Sequence, residues 1–244
     1  MKLTWLGQHG VALESQGSLL MVDPYLLDTM RTTVGEEFGR LVPVDEAWIK
    51  VRPDMVLLTH DHIDHVDMPS LKEIVTAEKS VSVVGGVNAW NKVRTELGGN
   101  HNYIMMTPGC EWTNDVFRVR AINARHSDQT GVGYVVEAEG LKIVISGDTL
   151  YFADAAKEIG EGTDIAVVVM NGKGNNMNCV DAARYCENIA AKVAIPTHWG
   201  LFKKFANDPD QPERFEEETK KRGVKAAVLS IYETVDCAAL LEGN

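Results

Sequence analysis

Residues 59–67 read THDHIDHVD and hold three of the chain's seven histidines. They follow the apolar run DMVLLT, which predicts a buried strand. His60 and His62 are two positions apart. In extended backbone, residues i and i+2 point the same way, so both imidazoles can converge on one ion. Asp64 and His65 lie where the chain turns toward a helix, within reach of a second point nearby. A solvated acidic turn would account for a single His-x-His pair. It does not account for His-x-His-x-Asp-His at the end of an apolar strand. His126 in NARHSD, Asp148 in ISGDTL and His198 in IPTHWG each follow a further strand-like run.

Imidazole and carboxylate donors without thiolate suit zinc, manganese or iron(II). Two such cations about 3.5–4 Å apart can share a water and lower its pKa to about 7. That chemistry opens an electrophilic carbonyl or phosphorus centre. Asp64, through a free oxygen, is the candidate to carry the proton to the leaving group. Asp148 is the second carboxylate expected at the water. Asp61 is off the ligand face and is expected to orient a ligand or cap a turn.

The elements that must position these residues are legible in outline. MKLTWL, GVALES and SLLMVD predict consecutive short strands with Gly-containing turns between them. Residues 24–50 mix polar and apolar positions without a period, as a functional loop or lid would. Asp67 and Pro69 can start a helix over SLKEIVTAE, SVSVVG predicts a strand, and VNAWNKVRTEL a helix. YIMMT, VFRVRAINA, GVGYVVEAE and LKIVIS predict strands. A helix near 151–159 then precedes strand IAVVVM. Asn178 is a good N-cap for a helix over 179–191, with Asp181 at its third position. Strand VAIP, a helix over PERFEEETKKRG, strand AAVLSI and a last strand near TVDCAALL complete the chain. Strands first and mixed elements after, repeated in each half, predict two packed sheets with helices outside.

The ordered set THDHIDH, His126, SGDT and PTHWG resembles the metallo-β-lactamase superfamily. That resemblance implies an α/β (α+β) fold, a four-layer αββα sandwich, in one domain over residues 1–244. It implies a first metal on His60, His62 and His126, a second on Asp64, His65 and His198, and Asp148 bridging two divalent ions. Within the superfamily, TWLGQHG, VDPYL, THDHIDHVD, NGKGNNMNCVDAARYCENI and VAIPTHWGLF are similar to the L-ascorbate-6-phosphate lactonase-like group. GQHG departs from the more usual small residue after Gln8. The group implies a hydrolase acting on a small ester-like bond, such as the lactone of a phosphorylated sugar acid.

The composition bounds the alternatives. The net charge is −11, with 45% hydrophobic and 24% charged residues. That disfavours partners held by a broad basic surface, such as nucleic acid or an anionic membrane. It counts against phosphodiester or nuclease activity, the second enzymatic reading. A non-catalytic metal-binding regulator is the reading from another class, and the full set of seven donor residues counts against it. No apolar run approaches a membrane span and the start lacks a signal pattern, so a cytoplasmic protein is expected. The four cysteines form no CxxC pair, and Cys179 and Cys186 share one helix face as small hydrophobes. Oligomerisation with a second copy is left open.

For the substrate, Tyr25 in DPYL is expected near the site mouth, and Asp23 to anchor that turn. Arg31 and Arg40 on the segment 24–50, and Lys173 in NGKGNN, are candidates to grip a small anionic substrate, with solvated charges as the alternative. Trp199 either walls the pocket or fills core. Gln8 is expected to support the ligands. His9 either lines the cavity or is a hydrogen-bonded structural residue.

Overall fold

The computed structural model describes residues 1–208 and 210–242. β1 (Lys2–Gly7), β2 (Gly10–Ser15) and β3 (Ser18–Val22) form an antiparallel meander. The segment that follows is less irregular than its sequence pattern predicts. It contains α1 (Thr29–Thr33), a 3-10 turn over Glu36–Phe38 and α2 (Glu46–Ile49), the last capped by Asp45. Backbone bonds from Leu41 to Leu201 and from Lys203 to Gly39 pin it to the far half of the chain.

β4 (Met55–Leu58), β5 (Ser82–Gly85) and β6 (Asn102–Met105) extend the first sheet in parallel beyond β3. α3 (Met68–Ile74) and α4 (Val87–Leu97) are the crossovers between them. Asp67 accepts the Ser70 amide at the start of α3, and Pro69 occupies its first turn. α3 ends earlier than predicted, at the β-branched run Ile74-Val75-Thr76, which resists helix.

β7 (Glu111–Thr113), β8 (Arg118–Asn123), β9 (Val132–Ala138) and β10 (Leu141–Ile145) are antiparallel. α5 (Ala155–Ile159) leads to β11 (Ile165–Val169), α6 (Cys179–Asn188) to β12 (Val193–Thr197), and α7 (Pro212–Lys220) to β13 (Lys225–Ala226). β10 through β13 are parallel. β14 (Thr234–Asp236) returns to the first sheet, antiparallel to β1, and α8 (Cys237–Glu242) follows it.

Each sheet therefore has seven strands, three antiparallel pairings followed by three parallel ones. Alternation along β4 explains the layering. Met55 and Leu57 pack into the apolar slab between the sheets, while Val56 and Leu58 face α3 and α4. On the other side, α5, α6 and α7 cover Val144, Ala166, Val168 and Ala194. The result is the four-layer αββα arrangement. Cys179 and Cys186 are buried under α6, as its pattern predicts, and burial pushes the Cys179 thiol up to about 12.

Two expectations near the C-terminus fail for identifiable reasons. The predicted strand AAVLSI pairs only over Lys225–Ala226. Beyond it the chain leaves the second sheet and crosses to the first, where Tyr232 N donates to Trp5 O. The stretch TVDCAALL yields only three strand residues because Asp236 caps a helix, its Oδ1 accepting from the Ala238 and Ala239 amides.

Gly133 on β9 marks a close approach between strands. A Cβ there would lie 2.7 Å from the carbonyl oxygens of Ile145 and Ser146. Gly133→Ala is expected to destabilise the fold by about 1–3 kcal/mol through overpacking. Chemical denaturation should show a lower midpoint, and an unchanged midpoint would contradict the packing described.

Candidate metal centre

The strand directions bring the site together. β1, β3 and β4 run the same way, so Gln8, Asp23 and His60 emerge at one edge of the first sheet. β8, β10 and β12 share a direction in the second sheet, and His126, Asp148 and His198 emerge just past their ends. The two edges meet. His65 Nε2 lies 3.4 Å from His198 Nε2 across the seam.

Two donor groups form there. His60, His62 and His126 make one, and Asp64, His65 and His198 the other; within each, donor atoms lie within 4.8 Å of one another. A third group, His60, His65 and Asp148, joins them. Asp148 Oδ2 is 3.2 Å from His198 Nε2 and 3.9 Å from His126 Nε2, and its Oδ1 is 3.4 Å from His65 Nε2. Asp148 thus touches both groups.

The surrounding polar contacts set the tautomers. His65 Nδ1 donates to Asp23 Oδ2 at 2.8 Å. Thr59 Oγ1 donates to the same carboxylate oxygen at 2.6 Å and is 3.0 Å from His60 Nδ1. His126 Nδ1 donates to the Asn175 carbonyl at 3.1 Å. Each of these three rings therefore turns Nε2, with its lone pair, toward the cluster. His62 instead presents Nδ1, 2.9 Å from His60 Nε2 and 3.2 Å from His126 Nε2. Nitrogens this close cannot all carry hydrogens. A shared cation satisfies them together, and the thiolate-free donor set suits zinc, manganese or iron(II).

The charges are coupled in the same sense. Burial would push Asp148 up, yet His198 and His65 hold its carboxyl well below the usual range. Burial would lower His65, yet Asp148, Asp64 and Asp23 raise it. Asp148 Oδ1 is buried without a hydrogen-bond partner among the described residues. A buried carboxylate oxygen left this way calls for a positive partner.

A profile of the family described as "Beta-lactamase superfamily domain" matches residues 24–199. The chain belongs to the beta-lactamase superfamily. A UPF0173 metal-dependent hydrolase of Geobacillus sp. (strain WCH70) is 30% identical over 233 residues, 86% of this chain and 91% of that one. Within that superfamily the chain belongs with the UPF0173 metal-dependent hydrolase family. Among solved structures, Igni18, a metallo hydrolase from Ignicoccus hospitalis KIN4/I, superposes with a TM-score of 0.73 at 19% identity, covering 96% of this chain and 97% of that one. The isothiocyanate hydrolase from Delia radicum gut bacteria has a TM-score of 0.73 at 18% identity, covering 97% and 99%. These two share the fold.

Other sequence expectations fare differently in this superfamily member. Tyr25 is buried rather than at the mouth; its hydroxyl accepts from the Met30 amide and its ring meets Phe202 edge-on. Arg40 does not face the site. It is buried and donates to the Tyr25 and Val42 carbonyls and the Tyr232 hydroxyl, which fixes the segment 24–50 from beneath. Arg31 is half exposed and pairs with Glu36 at 3.0 Å, away from the cleft. Trp199 stacks on Trp5 at 5.0 Å and donates to Pro196 O, so it fills core. Lys173 does line the cleft over the donor cluster. His9 is structural: Nδ1 is 2.7 Å from Thr197 Oγ1, Nε2 accepts from Gly147 N, and burial pushes its pKa down to about 4. Gln8 supports the cluster, donating to Asp64 Oδ2 at 2.8 Å.

Sequence reasoning missed several supports. Asp128 accepts from Asn88, Thr130 and the Asp61 amide, tying the His126 loop to the His62 loop. Asn171 faces His198 Nδ1 at 2.6 Å, and Asn176 donates to Asp148 Oδ2 at 2.7 Å. NGKGNN signals a turn, and nothing in that composition marks which amides face inward. Asp61 enters through its backbone amide rather than as a ligand orienter.

Asp23 fixes both Thr59 and His65. Asp23→Asn is expected to weaken divalent-cation binding by about 10–100-fold. Titrating metal into stripped protein by calorimetry checks this, and an unchanged affinity would remove Asp23 from that role.

Proposed function

We propose that the protein uses two divalent cations, one on His60, His62 and His126 and one on Asp64, His65 and His198, with Asp148 between them, to hydrolyse a small ester-like bond. The observation that carries this reading is Asp148, buried between the two donor groups and in contact with both. When bound, the cations would supply Lewis acidity and a water acidified toward a pKa of about 7.

The chain's own groups supply the rest. Gln8 holds one oxygen of Asp64, and Asp64 is less buried than Asp148 and lines the cleft. Its carboxylate is placed to take the proton of the attacking water and return it to the leaving oxygen. Water adds its oxygen to the carbonyl carbon, the carbon–oxygen ester bond breaks, and the alcohol departs with that proton. The cleft measures about 240 Å³, below the about 300–1,000 Å³ of drug-sized ligand sites, which favours a small substrate.

A lactone fits this description. Its phosphorylated sugar-acid form, with L-ascorbate 6-phosphate as the example, rests on Lys173 alone once Arg40 and Arg31 are engaged elsewhere. Among the described residues of the cleft, none favours the phosphodiesterase reading over the ester one.

Metal analysis of protein prepared without chelator is expected to give two divalent ions per chain, falling in Asp148→Ala because one carboxylate serves both positions. A content near zero that added manganese or zinc does not restore would end the metal reading. On a panel of lactones, thioesters, bis-p-nitrophenyl phosphate and short RNA, turnover should appear with the carbonyl substrates. Asp64→Asn should lower kcat by about 100-fold or more. Phosphodiester turnover alone would reverse the assignment.

A further inference from the structure

The cleft above the donor cluster has two unlike walls. One is polar and comes from the second sheet: Ser127, Asn171, Lys173 and Asn176. The other is apolar and comes from two segments far apart in sequence, Met30 and Phe38 from one, Phe202 and Phe205 from the other. The aromatic rings are locked together. Phe38 meets Phe202 at 6.0 Å and 73° and Phe205 at 5.9 Å and 78°, while Tyr25 backs Phe202 at 5.5 Å.

This wall is built rather than incidental. The Arg40–Phe202 bridge joins the two segments, and the Leu41–Leu201 and Lys203–Gly39 backbone bonds flank it. Arg40 then anchors the first segment through buried donors. Phe38 and Phe205 remain half-buried where they line the cleft. Edge-to-face aromatic surfaces of this kind bind flat or branched apolar groups.

The charge in the cleft points the same way. Among the described residues lining it, Lys173 is the one Lys or Arg side chain, and its ammonium lies 3.2 Å from Asp208 Oδ1. A phosphate carries about two negative charges and needs several free donors, with Arg preferred. Lys204 sits over the Phe38 ring at 4.3 Å, pairs with Glu37 and is not among the described residues that line the cleft.

We propose that Phe38 and Phe205, backed by Phe202 and Met30, determine specificity: the substrate is a small, uncharged carbonyl compound carrying an apolar group that packs on this wall, and phosphorylated substrates are disfavoured. This rests on the ester-hydrolase reading for its chemistry but not for its binding.

The test uses metal-loaded full-length protein and two readouts. The first is kcat/KM for methyl phenylacetate against methyl acetate, and for gluconolactone against its 6-phosphate. The second is affinity for phenylacetate against acetate by calorimetry. Each buried methylene contributes about a fourfold change, so a phenyl group on the wall should give about tenfold or more in both readouts. Phe38→Ala and Phe205→Ala should bring both ratios within about threefold of unity, while Phe38→Leu retains part of the preference. Thermal melts and metal content establish that the variants are folded. Ratios near unity in the wild type, ratios unchanged in both alanine variants, or a preference for the phosphorylated lactone would overturn the proposal. Ester turnover without these ratios leaves the hydrolase reading standing and removes the wall. Selective phenylacetate binding, lost in the variants but without ester turnover, supports the wall and removes the ester reading.

Discussion

Lone pairs that face one another in a buried place need a common acceptor, and the protein is organised around that requirement. Three imidazoles meet Asp148 and Asp64 at the seam between two sheets. Apolar packing cannot satisfy such a cluster, and water alone is a poor answer where residues such as His60 and His65 are fully covered. The sandwich supplies rigid strand ends that hold the donors in place. Asp23, Thr59 and Asn175 then decide which ring nitrogen of His65, His60 and His126 points inward, while Asp128 ties their loops together. Asp23 alone fixes the His65 ring and the Thr59 amide and hydroxyl.

The backbone is strained at the same place. Gln8, Asp23 and His198 all adopt positive φ, at 50°, 42° and 68°. Such conformations cost about 1–3 kcal/mol each and persist where the surroundings over-determine them. Here the bonds that hold them are visible. His198 N donates to Gln8 O, Trp5 Nε1 donates to the same carbonyl, and Asp23 N donates to Leu57 O. The strain is thus distributed over both sheets and held by hydrogen bonds that also aim the side chains.

The donor residues were legible because their signal is local. A strand period ending in His-x-His-x-Asp-His, and single His or Asp residues after apolar runs, mark strand ends without any knowledge of pairing. The two-sheet architecture followed from the repeated order of elements. What was not legible depends on long-range contact. Arg40 and Arg31 look alike in sequence, yet one is sealed beneath Tyr25 and Tyr232 and the other pairs with Glu36 in solvent. Trp199 follows a donor residue but is drawn away by Trp5. The strand predicted over AAVLSI depended on where the chain had to go next, and the helix after Thr234–Asp236 on Asp236 acting as a cap.

The distribution of the cluster over the two sheets also has a consequence in time. His60, His62, Asp64 and His65 follow β4, in the first half of the chain, whereas His126, Asp148 and His198 follow strands of the second sheet. A chain emerging from the ribosome presents the first four long before the others exist. Only after His198 is made and the second sheet has docked does the seven-residue cluster exist at all. During synthesis the early histidines can offer a passing metal ion only an incomplete set of donors. An ion held by residues of both halves would therefore have to wait for the completed sandwich.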